Sequence, residues 1–302
     1  MPIIIKTENL TRQFGKLIAV NNLNLQVEEG DVYGFLGLNG AGKTTTIRML
    51  LRLIRPSSGR IEIFGKDVRH NFIEIMQQIG ALVEIPAFYP HLTAYQNLYV
   101  LGLASGGITK NRIYEVLEMV GLGHRIYSKV KTYSQGMKQR LGIAQALLTK
   151  PKLVILDEPT NGLDPQGINH IRNVIMRMNA ADGTTFLISS HLLHEVEIIC
   201  SRVGIIQQGA LLVQDRVDKL LRETIESVRI LAKPKERTLE VLGKINWLKG
   251  IEEIEDGIVK VKLNGENFAR LNKELIGAGL EVSEFSPIKL SLEEYFLTKS
   301  YV

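Results

Sequence analysis

The segment GLNGAGKT, Gly37–Thr44, lies directly after the apolar run VYGFL and directly before TTIRMLLRL. That junction admits few folds. Its glycines let successive backbone N–H groups converge on one concave surface, and the following helix turns the positive end of its dipole toward the same point. A strand that opens through such a loop into a helix belongs to a largely parallel sheet covered by helices, with its ligand at the carboxyl edge. The spacing predicts a bound phosphate chain surrounded by Gly37, Leu38, Asn39, Gly40, Ala41, Gly42, Lys43, Thr44 and Thr45. Lys43 is expected to reach the β- and γ-phosphates of ATP, and Thr44 to place its hydroxyl on Mg²⁺.

The second half of such a site is expected in LVILDEPTNGLDP, Leu153–Pro165. Four apolar residues end in two adjacent carboxylates, the pattern of a buried strand that delivers acids to the ligand edge. Asp157 is expected to hold Mg²⁺, directly or through water, and Glu158 to orient or deprotonate the attacking water. A further buried strand, TTFLISS, leads to His191, a candidate donor to the γ-phosphate at the same edge. His194, one turn on, reads as a solvated helix residue.

A second helix start suited to an anion occurs in TYSQGMKQRL. Ser134 caps a helix expected to begin near Met137, and Gly136 lets a phosphate approach the backbone. Lys43, Asp157 and His191 already surround one γ-phosphate, so this second start has no role at its own site. It fits a site completed by another copy, two subunits facing head to tail and exchanging helix starts around two ATP molecules.

The flanking sequence divides into three parts. Strand-like segments IIIKTENL, IAVNNLNLQV and RIEIFG suggest an antiparallel layer, and residues from about 84 to 150 carry helical periodicity, a helical insert. A hairpin is expected to turn at Gln208-Gly209. Beyond residue 221 the order strand, helix, hairpin (turning at Asp256-Gly257), helix, strand matches a ferredoxin-like α+β unit, and SLEEYF reads as a short helix. The expected domains are therefore 1–221 and 222–302, an α/β phosphate-loop NTPase domain followed by a small accessory domain. Net charge is +5, but residues 221–302 hold 13 Lys and Arg against 14 Asp and Glu. No basic stripe results, and specific nucleic-acid binding is not expected. The single cysteine, Cys200, gives no disulfide partner and reads as a small core residue. No run is long and apolar enough for a membrane span, so a cytoplasmic location is expected.

Taken together, GLNGAGKT, Tyr133-Ser134-Gln135-Gly136-Met137, Asp157-Glu158, Asn161-Gly162-Leu163-Asp164 and His191 resemble, in order and spacing, the ATP-binding-cassette (ABC) ATPases. The resemblance covers residues 1 to about 220. It implies that Phe14 stacks on adenine beside Val20, that Asp164 lies across a homodimer interface, and that Ser134 and Gly136 touch the partner's ATP. Gln135 and Met137 depart from the family's usual Gly and Gln. Glu84 stands where the family usually has glutamine; it is a candidate metal ligand whose charge would repel phosphate unless a metal screens it. Glu84, FYPHLTAYQNLY and SLEEYF resemble the branch serving bacitracin and lantibiotic peptide export or self-protection. That branch implies separate membrane permease subunits, a place on the inner face of the cell membrane, and Phe88 and Tyr89 as exposed anchors. The rival reading is a soluble cassette ATPase acting on ribosomes or protein complexes; such proteins often carry two cassettes, and this chain has one phosphate loop.

Overall fold

In the computed structural model, the described residues are 2–223, 227–253, 258–263 and 267–288. The chain divides into two compact units, Met1–Arg216 and Val217–Val302.

The first unit begins with β1 (Ile3–Phe14), β2 (Leu17–Leu23), β3 (Gln26–Glu28) and β4 (Val32–Leu36), then α1 (Lys43–Leu50), β5 (Ser58–Ile63), β6 (Lys66–Asp67), α2 (Phe72–Met76) and β7 (Ile79–Leu82). The insert follows as α3 (Ala94–Ala104), α4 (Lys110–Met119) and α5 (Gln135–Leu147), with two short 3₁₀ turns between the last two. The unit closes with β8 (Leu153–Asp157), α6 (Pro165–Asp182), β9 (Thr185–Ser190), α7 (Leu193–Ile199), β10 (Arg202–Gln207) and β11 (Ala210–Arg216).

Two sheets sandwich α1. The antiparallel one runs β2-β1-β5-β6, with β3 also paired to β1. The larger one runs β11-β10-β4-β9-β8-β7, parallel throughout except for the terminal β10–β11 hairpin. Every residue of β4, β8 and β9 is buried. This is why those strands read as continuous apolar runs: helices cover one face and the α1 layer the other. One core joins both sheets through Ile5, Leu23, Phe35, Ile47, Leu50, Ile155 and Leu187. Because the strands are parallel, the chain leaves β4, β7, β8 and β9 at one edge, carrying Gly37, Glu84, Glu158 and His191 there.

The hairpin turns at Gln208 and Gly209, both with positive φ (48° and 82°), the backbone such a two-residue turn requires. In the insert, Thr93 starts α3 with a full capping box: its hydroxyl accepts from the Gln96 N–H while the Gln96 side chain accepts from the Thr93 N–H. Cys200 is buried, and burial pushes its thiol well above the usual range.

The second unit contains α8 (Val217–Glu223), β12 (Ser227–Lys233), α9 (Lys235–Gly243), β13 (Gly250–Glu253), β14 (Val259–Lys262), α10 (Phe268–Gly277) and β15 (Glu281–Ile288). Its antiparallel sheet runs β13-β14-β12-β15, the order of a ferredoxin-like fold. Val228, Ile230, Val261, Leu271 and Leu275 form its own apolar core. The expected Asp256-Gly257 turn and the SLEEYF helix lie outside the described residues. The division falls after Arg216, so α8 belongs with the second unit, whereas the sequence placed the boundary after Leu221.

Candidate active site

The loop after β4 is shaped by what surrounds it. Gly42 has φ 111°, and a Cβ there would lie 2.5 Å from the Ala19 carbonyl oxygen, so no side chain fits. The β10–β11 turn braces the loop from outside: the Gly209 N–H donates to Ala41 O at 2.9 Å, and the Asn21 N–H donates to Gly209 O at 2.8 Å. Leu38, Asn39 and Gly40 stay exposed at the mouth, Thr44 and Thr45 are half-buried, and Ala41 and Gly42 are buried. No sequence signal pointed to this brace.

Lys43 is the first residue of α1 and only 6% exposed. Its ammonium curls back over the loop, donating to Gly37 O at 2.6 Å and more weakly to Leu38 O at 3.4 Å. It also pairs with Glu158 Oε1 at 3.2 Å. A compact cation with three rotatable donors suits this position, because it can trade carbonyl partners for phosphate oxygens without moving its stem far.

The acids arrive from β8. Asp157 is buried; its Oδ2 accepts from the Thr44 hydroxyl at 2.8 Å and its Oδ1 from the Ser189 hydroxyl at 2.5 Å. Glu158 has φ 49°, a left-handed backbone uncommon for a residue of its kind. Its Oε2 is bonded to His191 Nδ1 at 2.7 Å. An ionised carboxylate only accepts, so with Glu158 charged the proton of this bond sits on Nδ1. Thus Lys43, Thr44, Asp157, Glu158 and His191, drawn from three places in the chain, form one connected cluster.

The donor set at Thr44 and Asp157 fits a small hard cation. Both offer oxygen, on elements fixed by the core, and one carboxylate plus one hydroxyl is the sparse protein contribution that Mg²⁺ accepts when phosphate supplies the rest. Among the described residues no group of three or more His, Cys, Asp or Glu could hold a metal without such help.

Glu84 follows β7 with φ 58° and a side chain more than half exposed. The Arg48 guanidinium binds its carboxylate. Arg48 lies one helical turn beyond Thr44 on the same face of α1, so Glu84 is held a turn away from the Thr44–Asp157 pair. The sequence reading missed Arg48; an i, i+4 relation to Thr44 was the available hint.

The two residues expected at adenine separate. Phe14 is 44% exposed, with the Arg12 guanidinium 4.3 Å from its ring centre, while Val20 is fully buried in the core beneath Gly42. The open apolar surface beside Phe14 is formed instead by Leu17 and Ile18, which pair with Phe14 and Gln13 across the hairpin. The register shift of the β1–β2 pair explains the exchange: Val20 pairs with Arg12 and Ile18 with Gln13, adjacent residues that point to opposite faces, so Val20 turns inward while Ile18 stays out.

Ser134, Gly136 and Asp164 stand apart from this cluster. Ser134 is exposed and caps α5, accepting from the Met137 N–H at 3.2 Å. The helix therefore starts at Gln135, two residues before the expected point, and Gly136 lies in its first turn, where N–H groups have no partner within the helix. Asp164, also exposed, caps α6 through the Gly167 N–H at 3.0 Å. The turn before α6 touches α5: a Cβ on Gly136 would lie 3.0 Å from Gly162 O. Among the described residues no hydrogen bond or ion pair joins Ser134, Gly136 or Asp164 to Lys43, Thr44, Asp157 or His191. The link that does exist is indirect. Gln139, buried on α5, donates weakly to the carbonyls of Glu158 and Pro159 at 3.4 and 3.3 Å. On the insert, Tyr89 is 63% exposed and Phe88 half-buried, the loop held by Asn97, whose amide bonds both the N–H and the carbonyl of Tyr89.

Comparison with known proteins follows the same lines. The ABC transporter family profile matches residues 20–161. Over 297 residues, spanning 98% of this chain and 97% of the relative, the chain is 44% identical to the bacitracin transport ATP-binding protein of Bacillus licheniformis. It is 40% identical to a lantibiotic transport ATP-binding protein of Streptococcus pyogenes, over 71% of this chain and 92% of that one. An ATP-binding subunit of an ABC transporter matches in structure with a TM-score of 0.66 and 29% identity over 73% of this chain and 92% of that one. A dimeric bacterial ABC transporter cassette matches with a TM-score of 0.65 and 25% identity over 70% and 98%. The chain belongs to the ATP-binding proteins of ABC transporters; it binds ATP, and its activity is ATP hydrolysis coupled to transport.

Proposed function

From that membership we propose that two copies of this chain close head to tail around two Mg·ATP and drive the export of an antimicrobial peptide through separate membrane permease subunits, on the inner face of the cell membrane. The observation that carries the shared site is a separation. Lys43, Thr44, Asp157, Glu158 and His191 are joined by direct contacts, while Ser134 and Gly136 present an anion-ready helix start with none of these as partner. A second copy related by a twofold axis brings each start to the other's phosphates, with Asp164 at the junction.

Within each site the chain's own groups divide the work. The loop N–H groups and Lys43 bind the β- and γ-phosphates, Phe14 with Leu17 and Ile18 gives the base an apolar face, and Thr44 and Asp157 hold Mg²⁺. The ion, when bound, neutralises charge on the β- and γ-oxygens. Glu158 orients the water and accepts its proton, its carboxylate positioned by Lys43 and His191. Once phosphate draws Lys43 away, Glu158 loses one partner and its Oε1 is free to accept a proton. His191, fixed through Nδ1, has Nε2 left as the ring nitrogen available to a phosphate. Glu84 would join the metal only after leaving Arg48, which holds its carboxylate here.

The relatives' roles support the peptide substrate, and no helix among the described residues is long and apolar enough to cross a membrane, so the permease is assigned to other chains. The test is to purify the chain from solubilised membranes of its own cells, identify the integral membrane protein that accompanies it, and delete that gene. Sensitisation to bacitracin-like or lantibiotic peptides is expected. Recovery of ribosomal proteins and no membrane protein would overturn the reading.

A further inference from the structure

We propose that Ser189 is a positioning residue that sets both acids of the site through a single hydroxyl; this rests on the reading of Asp157 and Glu158 given above. Ser189 is completely buried on β9, the strand between β4 and β8, and lies in register opposite Asp157. Registered residues on neighbouring strands present their side chains to the same face, so the two meet.

A serine hydroxyl has one proton and two lone pairs, and the geometry uses them in only one direction. The Glu158 N–H can only donate, and it points at Ser189 Oγ at 2.9 Å. Ser189 therefore accepts there and gives its one proton to Asp157 Oδ1, 2.5 Å away. Two consequences follow from the same atom.

The first concerns Asp157. With Oδ1 held by Ser189 and Oδ2 by Thr44, the carboxylate plane is fixed between two hydroxyls, and only the Oδ2 edge faces α1. The terminal torsion of an aspartate is otherwise broad. Removing the Ser189 hydroxyl frees that rotation and leaves Oδ1 buried without its donor, which is costly for a charged group. The edge offered to a cation is then no longer defined.

The second concerns Glu158, whose backbone sits in the left-handed region. Such a conformation persists only when its surroundings hold it. The N–H···Oγ bond ties the residue to the neighbouring strand at the point where the chain leaves β8, and the side chain then reaches Lys43 and His191. Ser190 shows the contrast: its hydroxyl accepts from the Leu192 N–H at 2.9 Å and shapes the turn into α7, taking no part in the acid cluster. Two adjacent serines on one strand thus serve opposite faces.

The experiment reads metal dependence apart from turnover. Binding of a fluorescent, non-hydrolysable ATP analogue to the full chain is titrated with Mg²⁺, beside binding in EDTA and thermal unfolding. Ser189→Ala is expected to raise the half-saturating Mg²⁺ concentration roughly ten-fold or more, the scale of a lost hydrogen bond to a charged group, with metal-free binding unchanged and turnover reduced. Ser189→Thr, which keeps the hydroxyl, restores most of the Mg²⁺ curve. Where the alanine variant does not fold, Ser189→Cys keeps the volume, weakens both bonds and gives the same shift. A wild-type Mg²⁺ curve in the alanine or cysteine variant, while Asp157→Asn is shifted, overturns the proposal and leaves the site reading intact. An unshifted Asp157→Asn overturns the site reading itself. A shift of equal size in Ser190→Ala, or in Ser189→Thr, makes the effect a general disturbance of β9 and also overturns the proposal.

Discussion

The two units solve the same packing problem, a sheet covered by helices, with different tolerance for buried polarity. Among the described residues the second unit buries only Ser227 and Thr238 as polar side chains. The first buries Lys43, Thr46, Asp157, Ser189 and Ser190 around one sheet edge, and Asp31, Asp67, Asn97, Arg112 and Gln139 elsewhere. Among the described residues, the non-glycine residues with positive φ, Glu84 and Glu158 among them, also lie in the first unit. Buried polar groups and left-handed side-chain-bearing residues both oppose folding unless partners are supplied. Their concentration in one unit marks where stability has been given up for chemistry, while the described part of the second unit packs around a plain apolar core.

Substitutions can test that contrast. Glu158→Gln is expected to lower ATP turnover by roughly 10²–10⁴-fold while nucleotide binding persists, measured by steady-state hydrolysis beside equilibrium binding. Near-normal turnover would remove Glu158 from the mechanism. Leu271→Ala, in the second unit's core, is expected to cost that unit about 2–5 kcal/mol. Chemical denaturation should then show an earlier transition, with nucleotide affinity unchanged. A matching loss of nucleotide binding would show that the two units are not energetically distinct. Phe14→Ala should raise the KM for ATP roughly two- to ten-fold, the scale of one aromatic contact, with little change in kcat.

The smallest effect concerns pH. Arg69 and Arg60 beside Asp67 hold its carboxyl well below the usual carboxylate range. A carboxyl depressed in the folded state adds stability that is complete above its unfolded pKa and is lost as pH falls through the folded one. The contribution is therefore present at neutral pH and fades only below about pH 4. Asp67→Asn should reduce the first unit's stability at neutral pH and flatten its acid limb, leaving the second unit's transition in place. An unchanged acid limb would assign the loss there to other carboxylates.

Much of the fold was legible because its signals are local. The loop needs its glycines, the parallel strands need unbroken apolar runs, Gln208-Gly209 needs positive φ, and Ser134 caps the next turn; each is written within a few residues. The alternation of the second unit's segments was enough to order its sheet. What escaped notice is set by register between distant strands. Ser189 meets Asp157, 32 residues away, only because β8 and β9 align as they do. Arg48 finds Glu84 across 36 residues by helix phase, and Gly209 braces Ala41 through a hairpin at the sheet's far edge. Val20 was assigned to the base by resemblance, but the register shift between β1 and β2 turns it inward and leaves Leu17 and Ile18 exposed beside Phe14.

The claim that the site is shared between protomers is tested most directly by mixing two inactive variants, one carrying Lys43→Ala and the other Ser134→Arg. In their heterodimer one pocket loses both contributions and the other keeps the intact loop of one copy and the intact helix start of its partner. ATP hydrolysis is expected to reappear on mixing, although neither variant hydrolyses alone. Persistent inactivity after subunit exchange, or full hydrolysis by a strictly monomeric form of the unaltered chain, would contradict the account.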